Sequence, residues 1–322
     1  MLYIFTIGGN EFGLGHISRC IPIYEEWISR GFKSKFIVNG DNTINNILDG
    51  IQFELGDWNL SVLSDRINLK QSDIIIIDSL FISDSFISLM KRKTKNIFII
   101  NDSYEDNSKH CQAINWRIDA SKKVFSGAQI VPLRKEIIPY KKTFFSSNNR
   151  ILISMGGSDV RGLTNKIIER LFCDSRFSNI ELNVIIGDSF KIHEFSKLKL
   201  KNGCRVKYFT NKSRDDLFSV FQKCDFAIAT GGHTIYELAY IGIPTVHLLV
   251  VDNQKPAEAW KNTGFTYFAG WYHEIDFIDR IINGAFSLYT NYEKRCQMAI
   301  IGQSLIDGRG SHRLVDNLLS YT

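Results

Sequence analysis

Short apolar runs alternate with amphipathic stretches along the whole chain. In residues 16–29 the apolar side chains recur at steps of three and four residues, which predicts a helix with one apolar face: Ile17, Cys20, Ile21, Tyr24 and Ile28. Residues 74–77 are four consecutive isoleucines, as expected of a central parallel strand that is covered on both faces. Strands that alternate with helices predict parallel βαβ units.

Both halves of the chain follow this scheme. The first half predicts strands at residues 2–7, 35–38, 73–78, 96–101 and 123–126, and helices at 16–29, 43–48, 60–69 and 84–91. The second half predicts strands at 150–154, 181–186, 205–209, 225–229 and 245–250. Its predicted helices lie at 164–172, 190–198, 215–222, 234–241, 257–263, 274–283, 292–301 and 311–319.

A linker separates the two halves. Residues 131–149 contain two prolines and a Ser-Ser-Asn-Asn run, which places a domain boundary near residue 145. Each half opens with a strand followed by a Gly-Gly turn. The expected fold class is α/β, with Rossmann-like domains at 1–145 and 146–322. We expect their parallel sheets to face one another across a cleft, where ligands bind at the carboxyl ends of the strands.

Length and composition support this organisation. At roughly 150 residues per domain, 322 residues predict two domains, and 44% apolar with 23% charged residues is typical of a soluble globular protein. Each apolar run is far shorter than the ~20 residues of a membrane span, so no stable membrane insertion is expected. The N-terminus is interpreted as a first strand rather than a signal peptide.

Charge and cysteine usage narrow the function. The net charge of +5 fits an enzyme with anionic substrates, and the basic run at 91–95 is interpreted as a solvated helix end rather than a nucleic-acid surface. The six cysteines never form a C-x-x-C pair, which predicts reduced thiols and a cytoplasmic protein. The sequence contains no metal-ligand spacing, so no metal or cofactor is expected.

The first motif is a glycine-rich turn between a strand and a helix. Gly13 and Gly15 precede His16, where backbone N–H groups and the helix N-terminus favour an anion. Ser18 breaks the dinucleotide fingerprint, and no G-K-[ST] is present, so neither NAD binding nor a Walker-type ATPase is expected. His16 is the candidate base that takes a proton from water or an acceptor hydroxyl, and the alternative is a capping or packing histidine.

Two further turns follow strands of the second half. Gly156, Gly157 and Ser158 form an anion-tolerant loop, which alone is weakly specific. The other turn comprises Gly231, Gly232, His233 and Thr234, whose helix start suits a diphosphate, with Glu237 one turn later to accept bonds from ribose hydroxyls. The alternative for Glu237 is a capping box with Thr234.

Taken together, these motifs resemble a known family. G-x-G-H-x-x-R-C at residues 13–20, S-x-G-G-S-D at 154–159, the glycine turn with Glu237, and the pair Asn253-Gln254 are similar to the nucleotide-sugar hydrolase of bacterial pseudaminic acid biosynthesis. That enzyme acts on UDP-2,4-diacetamido-2,4,6-trideoxy-β-L-altropyranose. Spore-coat polysaccharide proteins share the resemblance, which spans most of the chain and implies the glycosyltransferase-B fold.

The resemblance also implies residue roles. His16 helps to activate the water that attacks C1 of the sugar, and UDP leaves without a metal ion. The nucleotide is expected at Gly231, Gly232, His233, Thr234, Glu237, Gly156, Gly157 and Ser158. The sugar or diphosphate is expected at Gly13, Gly15, Arg19, Asp78, Asn253 and Gln254. The last helix is expected to cross back onto the first domain.

Three functions remain open at this point. The leading hypothesis is a hydrolase that releases a free deoxyamino sugar from UDP. The second is a glycosyltransferase of the same fold that passes a sugar to a polysaccharide or lipid acceptor. The third is a non-enzymatic module that binds nucleotide sugars, although binding alone does not require a basic group beside the glycine turns. The sequence leaves the sugar and the oligomeric state open.

Overall fold

Two compact units make up the protein. The computed structural model describes residues 1–60, 66–101, 103–104, 109, 111–145, 147–187, 190, 203–210 and 214–321. One unit comprises Met1–Arg134 and the C-terminal segment that starts at Gly308, and the other comprises Lys135–Asp307. The division comes earlier than the boundary predicted near residue 145, because the segment after Arg134 packs on the second unit. There the ring of Tyr140 lies 6.3 Å from that of Phe218.

The first unit is built on a six-stranded parallel sheet with the order β3-β2-β1-β4-β5-β6. Its strands are β1 (Leu2–Gly8), β2 (Ser34–Gly40), β3 (Phe53–Leu55), β4 (Ile74–Asp78), β5 (Asn96–Ile100) and β6 (Gln112–Ile114). Its helices are α1 (Gly15–Ser29), α2 (Asp84–Lys93) and the C-terminal helix Gly310–Leu319. The C-terminal helix packs beside α1, where Arg30 pairs with Asp316 at 2.7 Å.

The second unit repeats this strand order, as β12-β11-β10-β7-β8-β9. The strands are β7 (Arg150–Ser154), β8 (Glu181–Ile186), β9 (Arg205–Thr210), β10 (Phe226–Thr230), β11 (Thr245–Leu249) and β12 (Thr266–Trp271). The helices are α3 (Leu163–Cys173), α4 (Arg214–Gln222), α5 (Thr234–Ile241), α6 (Phe277–Thr290) and α7 (Tyr292–Leu305), with a 3₁₀ helix at Asp252–Asn262. The predicted pair of Rossmann-like α/β domains with parallel sheets is therefore confirmed.

Several predicted elements differ from the structure. Residues 123–126 form an isolated bridge instead of a strand, and β6 takes the sixth place in the first sheet. The predicted helix at 43–48 begins as the 3₁₀ helix Asn42–Ile44, and that at 257–263 is the end of a longer 3₁₀ helix. Residues 191–198 of the predicted helix at 190–198, and residues 61–65 of that at 60–69, lie outside the described residues.

Each sheet carries its own apolar core. In the first unit, Phe5 packs edge-on against Trp58 and Phe86, with ring centroids 5.7 and 5.2 Å apart. In the second, Ile151 and Val246 belong to a buried cluster that also takes side chains from α3 and α6. Over the described ranges, no helix is both long and apolar enough to cross a membrane.

Candidate active site

The order of the strands indicates where a ligand would bind on the first sheet. The relevant edge is the one formed by the carboxyl ends of its parallel strands. Residues of β1 pair with both β2 and β4, so the chain direction across the sheet reverses between β1 and β4. In open parallel sheets, ligands bind beyond the carboxyl ends of the strands at such a reversal. Here those ends lead into the glycine turn before α1 and into the segment that follows Asp78.

The glycine turn after β1 is held in one shape by backbone bonds. Gly9 and Gly13 exchange two N–H to carbonyl bonds, at 3.0 and 2.8 Å. Both adopt positive φ angles, 122° and 71°, which favour glycine. Asp41, just after β2, accepts a bond from the N–H of Asn10 at 2.9 Å and so ties the turn to the neighbouring strand. The turn thus delivers α1 to the edge of the sheet.

His16, Arg19 and Asp78 meet at this edge. His16 and Arg19 lie three residues apart in α1, and Asp78 ends the apolar strand β4. His16 Nδ1 is 2.8 Å from Asp78 Oδ1. Arg19 donates to both carboxylate oxygens, from Nε to Oδ2 at 2.6 Å and from Nη2 to Oδ1 at 2.5 Å. The side chain of Asp78 is 1% exposed, whereas those of His16 and Arg19 are 14% and 16% exposed.

Asp78 is ionised in spite of its burial. Burial alone raises the pKa of this carboxyl, but the charges of Arg19 and His16 and their hydrogen bonds hold the pKa well below its usual range. The Cys20 thiol donates to Asp78 Oδ2 at 3.4 Å. Burial and the nearby carboxylate raise the pKa of Cys20 well above its ordinary value, so this side chain stays a thiol. The predicted sugar contact Asp78 is thus placed behind His16 and Arg19.

A cavity of about 470 Å³ opens beside His16 and Arg19 within the first unit. Its walls come from the segments after β4 and β5 and are partly apolar, with Leu80 55% and Phe81 67% exposed. Hydrogen-bonding side chains complete the lining: Asn59, Ser79, Ser83, Asn101, Ser103 and Lys109. A mixed lining of this kind is typical of a small-molecule site.

The second unit has its own reversal, between β7 and β10. The loop that follows β7 contains Gly156, Gly157 and Ser158, all exposed. Asp159 accepts bonds from the N–H groups of Leu163 and Thr164 at 2.9 Å and so caps α3. The predicted anion-tolerant loop therefore lies at the carboxyl edge of this sheet, in front of a helix N-terminus.

The turn after β10 lies next to that loop. Gly231 is buried and donates to the Leu248 carbonyl at 2.8 Å, whereas Gly232 is exposed. α5 begins at Thr234, and His233 is its N-cap residue. Thr234 is therefore already helical, so the alternative capping box, which requires Thr234 as the N-cap, is not formed. Glu237 is half-buried in the first turn of α5.

Asn253 and Gln254 also lie at this edge, at the start of the 3₁₀ helix that follows β11. Gln254 Oε1 accepts a bond from the Val250 N–H at 2.9 Å, and Asn253 is exposed. Arg161, from the loop after β7, donates to the Val250 carbonyl at 3.2 Å. Its guanidinium carbon lies 4.2 Å from the centre of the Tyr272 ring. These contacts connect the ends of β7, β11 and β12.

Sequence reasoning missed Arg161, Tyr272 and the polar lining of the first cavity. The available signal was position: Ser79 and Asn101 directly follow parallel strands, as do the residues that were found. In the part of the chain that the structure describes, no three His, Cys, Asp or Glu side chains lie close enough together to hold a metal ion.

Comparison with known proteins gives distant relatives. No model of a known protein family matches the chain. The chain is 28% identical over 276 residues to uncharacterized protein MJ1062 of Methanocaldococcus jannaschii, covering 78% of this chain and 56% of that protein. It is 24% identical over 257 residues to the Helicobacter pylori pseudaminic acid cytidylyltransferase and UDP-2,4-diacetamido-2,4,6-trideoxy-beta-L-altropyranose hydrolase, covering 75% and 43%. The chain thus spans about half the length of these two proteins.

A third relative matches over nearly its whole length. The spore coat polysaccharide biosynthesis protein SpsG of Bacillus subtilis is 21% identical over 337 aligned positions, which cover 97% of this chain and 95% of that protein. The names of the second and third relatives are those of the family that the motifs resemble.

Solved structures resemble the whole fold. MurG of Acinetobacter baumannii superposes with a TM-score of 0.59 at 10% identity, covering 99% of each chain. CalG4, the calicheamicin glycosyltransferase, superposes with a TM-score of 0.61 at 10% identity, covering 99% of this chain and 98% of that one. The S. aureus MnaA–UDP structure superposes with a TM-score of 0.61 at 12% identity, covering 100% of this chain and 97% of that one. The chain therefore has the two-domain, Rossmann-like glycosyltransferase-B fold.

Proposed function

We propose that this protein hydrolyses a UDP-linked deoxyamino sugar at C1 and releases UDP and the free sugar for bacterial surface-glycan biosynthesis of the pseudaminic acid kind. The observation that carries the proposal is the contact of His16 with the buried Asp78 at the rim of the first-unit cavity. The names of two relatives point to the same chemistry. The fold is compatible with it, since MnaA was solved with UDP.

His16 acts as the general base. A water proton moves to the imidazole as the water oxygen forms a bond to C1 of the sugar. The bond between C1 and the diphosphate oxygen breaks, and its electron pair stays on that oxygen, so UDP leaves as the anion. A positioned base of this kind contributes about 10²–10⁴ in rate.

The second unit would hold the nucleotide. Backbone N–H groups at Gly156–Ser158 and Gly231–Thr234 would face the diphosphate, because helix starts carry partial positive charge. The Glu237 carboxylate would accept bonds from two ribose hydroxyls. Asn253 and the amide of Gln254 would meet the sugar or the diphosphate, and we add Arg161 at the same edge as a further candidate for the diphosphate.

The first-unit cavity would hold the sugar. A water molecule takes about 30 Å³ of liquid, so a cavity of about 470 Å³ is far larger than the attacking water needs. Its exposed Leu80 and Phe81 suit methyl and acyl groups, and its serines and asparagines suit hydroxyl and amide groups. Gly13 and Gly15 would lie at the diphosphate end of this sugar.

Glycosyl transfer is the second candidate, and the size of the cavity favours it as well. The cavity has more space than one water molecule needs, so it could also hold an acceptor. A hydroxyl group of that acceptor would then replace the water at C1. His16 would then deprotonate the acceptor, and the nucleotide site would be unchanged. MurG and CalG4 have the same fold, and CalG4 is named as a glycosyltransferase.

Release of UDP without an acceptor separates the two candidates. The purified protein is incubated with UDP-linked 2,4-diacetamido-2,4,6-trideoxy sugars and with UDP-N-acetylglucosamine, and UDP and reducing sugar are quantified. Hydrolysis predicts equal amounts of both products at many turnovers per protein. Turnover that requires an added glycan or lipid acceptor would replace hydrolysis by transfer.

A further inference from the structure

We propose that Asp78 and Arg19 are positioning residues that fix the tautomer of His16, with the proton on Nδ1 and the lone pair on Nε2. This inference deepens the proposed function and rests on it, because the tautomer matters only if His16 accepts a proton during the reaction. It replaces the predicted contacts of both residues with the sugar or diphosphate by a role behind the imidazole.

The proton on Nδ1 follows from the hydrogen-bonding capacity of the two neighbours. An ionised carboxylate only accepts hydrogen bonds, so the 2.8 Å contact with Asp78 Oδ1 requires Nδ1 to donate. Arg19 Nη2 lies 3.4 Å from the same nitrogen and can only donate, which would favour the opposite tautomer. The shorter contact decides the competition, because two acceptors 2.8 Å apart would repel one another. The neutral imidazole then keeps its lone pair on Nε2.

Arg19 holds Asp78 in the position and the charge state in which it accepts the hydrogen bond from His16 Nδ1. Its two-point contact engages both carboxylate oxygens and so fixes the plane of the carboxylate. It also supplies the positive charge that lets a side chain with 1% exposure remain ionised. The guanidinium carbon itself lies 5.5 Å from the centre of the buried Trp116 ring, which restricts its movement.

The fold delivers these residues together. Asp78 lies opposite Thr6 in the pairing of β4 with β1, at the carboxyl ends of both strands. α1 starts from the same end of β1, and one helical turn separates His16 from Arg19. The three residues therefore meet at the strand reversal, and the position of the imidazole depends on a residue 62 positions away in the chain.

Nitrogen-15 NMR of the imidazole tests the inference without any substrate. In the wild-type protein, at a pH where His16 is neutral, we expect the signals of a protonated Nδ1 and an unprotonated Nε2. In Asp78→Asn, the Arg19 donors claim the single amide oxygen and turn the NH₂ group toward His16. Because that group donates to Nδ1, we expect the tautomer to change to a protonated Nε2.

Asp73→Asn is the matched control. Asp73 is also buried and immediately precedes β4, but it lies at the opposite end of the strand, where it accepts bonds from the N-terminus and from the Lys70 N–H. We expect this variant to keep the wild-type tautomer. A protonated Nε2 in the wild type, or an unchanged tautomer in a folded Asp78→Asn, would overturn the inference.

Turnover provides the second readout. Asp78→Asn should lower kcat about 10²–10⁴-fold with little change in KM, because the wrong tautomer presents a proton where the base is needed. If Asp78→Asn does not fold, Arg19→Met with Asp78→Asn removes both buried charges, and a mixture of tautomers is expected. A protonated Nδ1 in a wild-type protein that turns over no UDP-sugar would support the geometry and refute the proposed function.

Discussion

Glu237 is the residue on which we expect the proposed nucleotide site to depend most. Replacing it with alanine should weaken UDP binding tenfold to a hundredfold, since charge-assisted bonds to two ribose hydroxyls contribute about 1.5–3 kcal/mol. Isothermal titration calorimetry with UDP measures the change. Because α5 begins at Thr234 with His233 as its N-cap, loss of a capping box would not account for a weaker affinity.

Glu181→Ala is the control for this measurement. Glu181 opens β8 at the opposite edge of the second sheet, where it pairs with Arg150 at 3.3 Å and Lys207 at 2.7 Å. Its loss should leave the affinity for UDP unchanged. If Glu237→Ala bound UDP as tightly as Glu181→Ala does, Glu237 would have no part in binding the nucleotide.

At the residue scale, local spacing predicted some features and missed others. The glycine turn and the three-residue step from His16 to Arg19 are local, so the sequence pointed to both. The partner of His16 could not be identified in this way, because Asp78 lies 62 residues away and its role depends on burial. Arg161 was missed for the same reason, because its position depends on contacts with Val250 and Tyr272, which are distant in sequence.

At the scale of elements, Gly231 joins β10 to the 3₁₀ helix that follows β11. A Cβ atom at this position would lie 2.4 Å from Leu249 Cδ2 and 2.9 Å from Ala257 Cβ. Gly231→Ala should therefore destabilise the protein by about 1–3 kcal/mol, which is the usual cost of overpacking. Thermal unfolding should show a fall of several degrees in Tm.

Gly232→Ala is the matched variant for stability. A Cβ atom there would meet nothing within 4 Å, so its Tm should stay close to that of the wild type. Equal Tm values for the two alanine variants would show that the contact at Gly231 is easily relieved. Both glycines belong to the proposed nucleotide turn, so either substitution could also change the affinity for UDP.

The strand β11 carries a titratable side chain in the core. His247 is fully buried and stacks on Phe268 with ring centroids 4.8 Å apart. Burial lowers the pKa of His247 to about 3, against an opposing contribution from the backbone of Ala257. The unfolded chain has the ordinary value of 6.5, so below that pH the unfolded state binds the proton first. The free energy of unfolding therefore falls as the pH drops below 6.5, by up to about 1.4 kcal/mol per pH unit.

His247→Phe tests this contribution. The variant keeps a ring beside Phe268 but cannot bind a proton. Urea unfolding between about pH 6.5 and pH 5 should give a shallower pH dependence than in the wild type, whatever the absolute stability of the variant. This window lies above the range in which unfolded carboxylates titrate. If the free energy of unfolding had the same pH dependence in both proteins, His247 would bind a proton as readily in the folded protein as in the unfolded chain.

Element prediction succeeded where the apolar pattern was long. β7, β8 and α5 have the predicted bounds, because their apolar residues fill a strand or a helix face. β3 and β6 have only three residues each, too few to show alternation. Residues 123–126 have the composition of a strand but form only isolated bridges, of Ser126 with Asn115 and with Lys123.

At the scale of the whole molecule, the chain builds the same sheet twice. Both units have the strand order of a nucleotide-binding fold, and both place their glycine turns at the reversal of that order. The alternation of strands and helices predicted this doubling. The return of the last helix to the first unit was expected, but the boundary between the units was harder to predict, because it depends on where residues 135–140 pack.

We propose His16 as the base of a nucleotide-sugar reaction, and one variant tests this role most directly. His16→Asn keeps a polar side chain of similar shape but cannot take a proton. The rate of UDP release from the best UDP-linked deoxyamino sugar should fall about 10²–10⁴-fold, with the affinity for UDP within about threefold of the wild type. A variant that releases UDP at nearly the wild-type rate would contradict the claim and make His16 a structural residue.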